Sequence, residues 1–208
     1  MFIIKAVKTL SEHWNSIFSK TDSDKLGWYE SDFEQTIKFL ELISNWQDSK
    51  IFVSGAGTTG LVDLLLQENC QLVLNDISSK ALAELKEKHF EQEHRIDWLC
   101  QDISKPIPEL KADIWIDRAV LHFLNDKKDI EQYFKNVDKT LKTGGYAIFA
   151  EFSKHGVSKC AGLELTQYDS NDLQRHLKNY NLVAEEDYIY YQPSGDPRPY
   201  IYTLFQKI

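Results

Sequence analysis

Clusters of basic residues are absent from this 208-residue chain, whose 24 Lys and Arg are outnumbered by 32 Asp and Glu for a net charge of -8. Without such clusters there is no electrostatic footprint for a phosphate backbone, which argues against a nucleic-acid partner. Cysteine is scarce: Cys70, Cys100 and Cys160 are odd in number and far apart. That is the usage of reduced thiols in a cytoplasmic protein, not of a disulfide framework. There is no Cys-x-x-Cys and no His-x-x-x-His, and His89 with His94 at spacing five fits the end of an exposed helix, so no metal centre is expected. No Gly-x-Ser-x-Gly elbow offers a serine nucleophile. Long apolar runs are missing, so no membrane partner is expected. Residues 1–10, with two lysines, read as neither a leader peptide nor a membrane span.

What is there begins with 42% hydrophobic residues, enough for the full core of one domain, or one domain with an added lid. Residues 51–54 form an apolar strand, followed by the turn Gly55-Ala56-Gly57-Thr58-Thr59-Gly60, an apolar helix, and a second strand ending on Asp76. This is a nucleotide-binding βαβ unit. Glycines let the backbone approach a ligand, and an acid about twenty residues after the first glycine can accept hydrogen bonds from ribose hydroxyls.

The remaining pattern alternates helices and strands. Helices are expected over 11–19, 32–45, 60–69 and from Ser78 or Ser79 onward, then over 119–123, 126–141 and from Asp169 or Ser170 to 178. Strands are expected over 96–100, 112–116 and 146–152, with Gly144-Gly145 stopping the preceding helix. The end differs in kind: 182–192 and 200–207 alternate and are rich in Tyr and Ile, and Ser194-Gly195-Asp196 lies between them, which predicts a β-hairpin. The expectation is an α/β, doubly wound, mostly parallel sheet with helices on both faces and an antiparallel hairpin at one edge. Ligands bind outside the carboxyl ends of such strands, which directs attention to Gly55, Asp76, Asp102, Asp117 and Glu151.

On these residues the chain resembles the class I, Rossmann-like, seven-stranded S-adenosylmethionine-dependent methyltransferases. The resemblance rests on the glycine motif, Asn75-Asp76-Ile77-Ser78, Cys100-Gln101-Asp102-Ile103, Gly144-Gly145, and the run Asp117-Arg118-Ala119-Val120-Leu121-His122-Phe123-Leu124. His13-Trp14-Asn15 through Gly27-Trp28-Tyr29 is similar to the Trp lid of relatives that include protein-lysine methyltransferases. The resemblance implies a single methyltransferase domain over 1–208, with 1–46 a helical lid, and S-adenosylmethionine as cofactor. It implies cofactor contacts from Gly55, Ala56, Gly57, Gly60, Asp76 at the ribose, Asp102 and Ile103 at the adenine, Ile77, Trp28, and Asp117 with Arg118 toward the methionine end. The family commonly places an acid two residues before the first glycine. Here that position is Val53, and its role is expected to pass to Asp117 or the backbone at Gly55.

The same turn would suit a nicotinamide dinucleotide. That alternative lacks a Tyr-x-x-x-Lys pair, and the hairpin occupies the sheet edge where a second nucleotide would need room. Trp14, Trp28, Tyr29 and Phe123 offer aromatic faces to a sulfonium cation. The expected reaction is methyl transfer to an N, O or S nucleophile of a small molecule. His122 is the candidate base because imidazole titrates near neutrality, with Glu151 and Tyr168 behind it. Alternatives are a protein-lysine methyltransferase, in which the acidic surface steers a basic segment, and a noncatalytic S-adenosylmethionine-binding protein.

Overall fold

The computed structural model describes residues 8–208. Residues 1–7 of the stretch expected to be neither leader nor span, and of the 1–46 segment, lie outside the described residues. In chain order the helices are α1 (Leu10–Phe18), α2 (Glu34–Leu40), α3 (Leu61–Gln67), α4 (Ser79–Lys88), α5 (Lys127–Thr140) and α6 (Ser170–His176). The strands are β1 (Lys50–Ser54), β2 (Gln71–Asp76), β3 (Ile96–Cys100), β4 (Ala112–Arg118), β5 (Leu141–Phe152), β6 (Lys159–Cys160), β7 (Leu163–Glu164), β8 (Tyr180–Tyr191) and β9 (Pro197–Lys207).

Seven strands form one sheet in the order β3-β2-β1-β4-β5-β9-β8. β1 to β5 run parallel, and β9 lies antiparallel to both β5 and β8. The doubly wound sheet and its antiparallel hairpin are therefore as the sequence predicts. Strand order reverses at β1, which has β2 on one side and β4 on the other. The crevice outside their carboxyl ends is the ligand position of such a sheet.

Strand periodicity sorts the core into two layers. Ile51, Val53, Leu72, Leu74, Ile114, Ile116 and Ile148 face α2, α3 and α4. Phe52, Val73, Trp115, Ala147, Phe149 and Phe205 face α5 and α6. Burial on both faces explains why these strands read as continuous apolar runs.

Several boundaries differ from expectation. The second helix stops at Leu40, and Asn45 adopts a left-handed backbone (φ 58°) that turns the chain toward β1. Gly144-Gly145 does not end α5; the helix stops at Thr140, and the glycines lie inside β5, where the register with β4 shifts between Ala112 and Ile114. There Gly145 is required, because a Cβ would meet Asp113 O at 2.8 Å. The small β6–β7 hairpin is unexpected. It turns on Ala161 and Gly162, both at positive φ, as a tight two-residue hairpin demands.

Candidate active site

The glycine turn leaves β1 with Gly55 and Gly57 at φ 59° and 52°, backbone values that suit glycine. A Cβ on Gly55 would sit 2.1 Å from Val120 Cγ2, and one on Gly57 would touch the Phe18 ring at 3.3 Å. The turn is held to the end of β2: Asn75 O accepts the Ala56 N–H at 2.8 Å, and Asp76 Oδ2 accepts the Gly57 N–H at 2.8 Å. Asp76 Oδ1 accepts the Ser78 N–H at 2.7 Å, while Ser78 Oγ caps α4. Each carboxylate oxygen keeps acceptor capacity. Burial pushes the Asp76 pKa up to about 6, against the pull of the Ser78 and Gly57 amides. Next door, Asp102 Oδ1 accepts the Ser104 N–H at 2.9 Å, and the Asn75 amide donates to Leu99 O and Gln101 O.

One cavity joins these groups. It is lined by the turn from Val53 to Leu61, by Asp76, Ile77, Asp102 and Ile103, by Arg118, Val120 and His122, and by Trp14, Phe18, Trp28 and Glu30 from the N-terminal segment. Gly55, Ala56, Gly57, Gly60, Asp76, Ile77, Asp102, Ile103, Arg118, Trp28 and His122 are thus brought together as the sequence groups them. The N-terminal segment is pinned over the cavity. Ser11 Oγ donates to Ile77 O at 3.1 Å, and Asn15 Oδ1 accepts from Ser78 Oγ at 2.7 Å and from the Lys80 N–H at 3.1 Å. Trp14 is the hub of the aromatic mouth, with centroids 5.6 Å from Trp28 and 4.9 Å from Phe123.

Asp117 departs from the expected placement. It does not line the cavity, because on β4 it shares the face of Trp115 and points toward α5. Its carboxylate accepts the Tyr133 hydroxyl and, at 3.0 Å, the Val120 N–H, and it is wholly buried. Burial and the neighbouring Glu151 charge hold its pKa well above the carboxylate range. It therefore cannot supply the acid missing at Val53.

Arg118 alternates to the opposite face and lines the cavity, but most of its visible contacts tie the N-terminal segment to the hairpin. Nη1 donates to Trp28 O at 3.1 Å, Nε stands 2.9 Å from Glu30 Oε1, and the guanidinium lies over Tyr190 and Tyr200 at 4.9 and 5.5 Å. The next residue, Ala119, is at φ 69°, a left-handed turn held by its N–H to Ala150 O.

His122 lies at the cavity floor. Nδ1 is 2.7 Å from Glu151 Oε2, which also accepts the His122 backbone N–H at 3.2 Å. Nε2 is buried and meets no partner among the described residues. Burial holds the imidazole neutral, its pKa lowered to about 3, and lifts that of Glu151 to about 8. With its proton on Nδ1 and donated to Glu151, the ring presents a free Nε2 lone pair. Glu151 is thus the orienting partner of His122, and it does not line the cavity. Nor does Tyr168, whose hydroxyl is buried and has no partner among the described residues.

Two outcomes follow here. Asp76→Ala should weaken cofactor binding by about 1.5–3 kcal/mol, the contribution of a hydrogen bond to a charged group. Calorimetry checks this, and unchanged affinity would remove Asp76 from the ribose. The second concerns pH. A Glu151 pKa raised from 4.5 to about 8 means that the native state holds a proton the unfolded chain releases. Unfolding stability therefore falls as pH rises through that window. Below pH 6.5 the lowered His122 works in the opposite sense; between about pH 6.5 and 8 Glu151 contributes up to about 1.4 kcal/mol per pH unit of decline, in the same sense as Asp117 and as Glu30, whose pKa burial lifts to about 7. Urea unfolding across this range should show the slope, and Glu151→Gln should make it shallower.

The fold and the glycine-turn crevice define a Rossmann-like α/β domain. A model of the methyltransferase domain family matches residues 53–147. No curated protein matches the chain. Among solved structures, a SAM-dependent methyltransferase from Anabaena variabilis is similar at TM-score 0.75 and 13% identity, over 95% of this chain and 93% of that one. The N-methyltransferase NodS from Bradyrhizobium japonicum, in complex with S-adenosyl-L-homocysteine, is similar at TM-score 0.72 and 14% identity, over 95% and 97%. The 1,6-didemethyltoxoflavin-N1-methyltransferase of Burkholderia thailandensis gives TM-score 0.69 and 12% identity, over 95% and 83%. The chain thus carries a match to the methyltransferase domain family over residues 53–147 and shares the fold of Rossmann-like S-adenosylmethionine-dependent methyltransferases, a class whose cofactor is S-adenosylmethionine.

The cavity residues fit that cofactor. The Gly55 and Gly57 positions keep space that a Cβ would contest, and the buried Ser54 Oγ and His122 Nε2 in the lining have no partner among the described residues. Glu30, Glu151 as a histidine partner, and Tyr133 were missed from sequence. The first lies in a segment read only for its aromatics; the others act through contacts that no short motif encodes.

Proposed function

We propose that this chain transfers the methyl group of S-adenosylmethionine to an N, O or S nucleophile of a small molecule, with His122 as the base. The carrying observation is that one cavity holds the glycine turn, Asp76 and Asp102 together with an unpartnered imidazole nitrogen, beneath aromatic rings. The reading treats the chain as one domain, with residues 1–46 as a lid, in the cytoplasm.

The cofactor supplies an electrophilic methyl group on a sulfonium centre. The chain's own residues orient, exclude water and hold a proton. Asp76 and Asp102 fix the nucleoside end at the tips of β2 and β3. Trp14, Trp28 and Phe123 present ring faces at the mouth, where a cation is favoured over water. His122 Nε2 takes the acceptor's proton, and Glu151 Oε2 accepts the hydrogen bond from Nδ1. That contact fixes the ring's tautomer and angle beforehand.

A second reading has its own observation. Outside the aromatic mouth an open cleft is bordered by Asp22, Asp24, Asp32, Glu34, Asp63 and Glu84, with Lys20, Lys80 and Lys88 among them. An acidic rim favours a basic protein segment as acceptor. Calorimetry with S-adenosylmethionine and, separately, NAD(H) tests the cofactor assignment, and binding of the nicotinamide alone would overturn it. Labelled-methyl transfer to a small-molecule panel supports the first reading; label only on lysine-rich peptides supports the second. Binding with no transfer to either supports a noncatalytic role.

A further inference from the structure

Glu30 stands where the sequence offered no reason to look. Its side chain is only 8% exposed, on the segment between α1 and α2, and it lines both the cavity and the outer cleft. We infer that Glu30 supplies the carboxylate that holds the α-ammonium group of S-adenosylmethionine, replacing from the covering segment the acid absent at Val53. This rests on the methyltransferase reading and assigns a residue that reading leaves open.

A zwitterionic amino-acid group taken out of water needs fixed groups of both signs. Among the described residues the carboxylates lining the cavity are Asp76, Asp102 and Glu30, and the one Lys or Arg is Arg118. Asp102 and Asp76 follow β3 and β2, so a nucleoside held there directs its amino-acid end across β1 toward β4. At that end stand Arg118 and Glu30, with Nε and Oε1 2.9 Å apart, adjacent charges of opposite sign like those on an α-carbon. Val53, which also lines the cavity, presents only methyl groups.

The ion pair is incomplete by itself. Arg118 Nε is buried and, despite its distance to Glu30, not aligned to make a hydrogen bond. No other donor among the described residues reaches the Glu30 carboxylate. A buried pair with spare acceptor capacity is costly unless further partners complete it. An ammonium group brings three donors, and a carboxylate beside it would engage the guanidinium.

The test is calorimetric binding of three ligands to the full chain and to Glu30→Gln. S-adenosylhomocysteine carries both charges, its decarboxylated analogue keeps only the ammonium group, and 5′-methylthioadenosine has neither. The substitution should weaken the first two by about tenfold to a hundredfold, as expected for a charged hydrogen bond, and leave the third unchanged. Unchanged affinity for S-adenosylhomocysteine overturns the inference. Equal loss for methylthioadenosine would make Glu30 a lid anchor only, and loss confined to S-adenosylhomocysteine would make it a positioning residue for Arg118; either outcome also overturns it. If the unaltered chain binds none of the three but binds NAD(H), the methyltransferase reading itself fails.

Discussion

His122→Ala should lower turnover by about 10²- to 10⁴-fold, the usual contribution of a positioned general base, while leaving cofactor affinity nearly intact. The expectation comes from geometry. Nδ1 is occupied by Glu151 at 2.7 Å, so the remaining nitrogen is the one available to an acceptor. A neutral ring is the competent form, and burial keeps it neutral down to about pH 3. The acid limb of the rate profile should therefore not fall at the ordinary histidine pKa. Steady-state rates and calorimetry check the pair of effects. Because the ring is wholly buried, urea unfolding of the variant is followed in parallel, so that lost turnover is not mistaken for lost fold. Equal rates in a folded variant would reduce His122 to packing.

Trp115→Ala should cost about 3–5 kcal/mol of unfolding free energy, the range for truncating a fully buried large aromatic side chain. Trp115 is at the centre of the sheet and stacks on Phe52 with centroids 4.0 Å apart and planes 8° from parallel. Its indole N–H donates to the Tyr133 hydroxyl at 3.1 Å, which in turn donates to Asp117. Truncation opens a cavity and removes one donor from a buried chain of polar groups. Denaturant titration measures the loss. Trp115→Phe, which retains the stacking but not the N–H, should cost less, and an equal cost for both would assign the effect to the hydrogen bond.

The sheet and the nucleotide end of the site were legible because their causes are local. A glycine turn after an apolar run, an acid at the next strand end and the alternation of the final hairpin each declare themselves within a few residues. Asp117 was misassigned for an equally plain reason. Position at a strand end says nothing about face, and the two-residue period that places Trp115 against α5 places Asp117 there too, leaving Arg118 to the cavity side. Glu30 and the Glu151–His122 pair join residues 88 and 29 positions apart, and no periodicity or motif marks such meetings. The capping box at Thr9 and Glu12, by contrast, is local, a Thr-x-x-Glu pattern that starts α1 at Leu10, one residue before the expected start at 11.

The clamp at Arg118 bears on the order in which this molecule assembles. It gathers residues 28–30 from near the start of the chain, β4 from its middle, and Tyr190 and Tyr200 from the two strands of the terminal hairpin. β9, which follows the other six strands of the sheet in sequence, inserts between β5 and β8. During synthesis the glycine turn and the ends of β2 and β3 are all made well before the tyrosines on which the guanidinium rests. Contacts of such long sequence separation form late in folding. The cover over the cavity therefore gains its anchor only when the final hairpin is in place, so a nascent or C-terminally shortened chain would present a nucleoside-binding crevice without a secured roof.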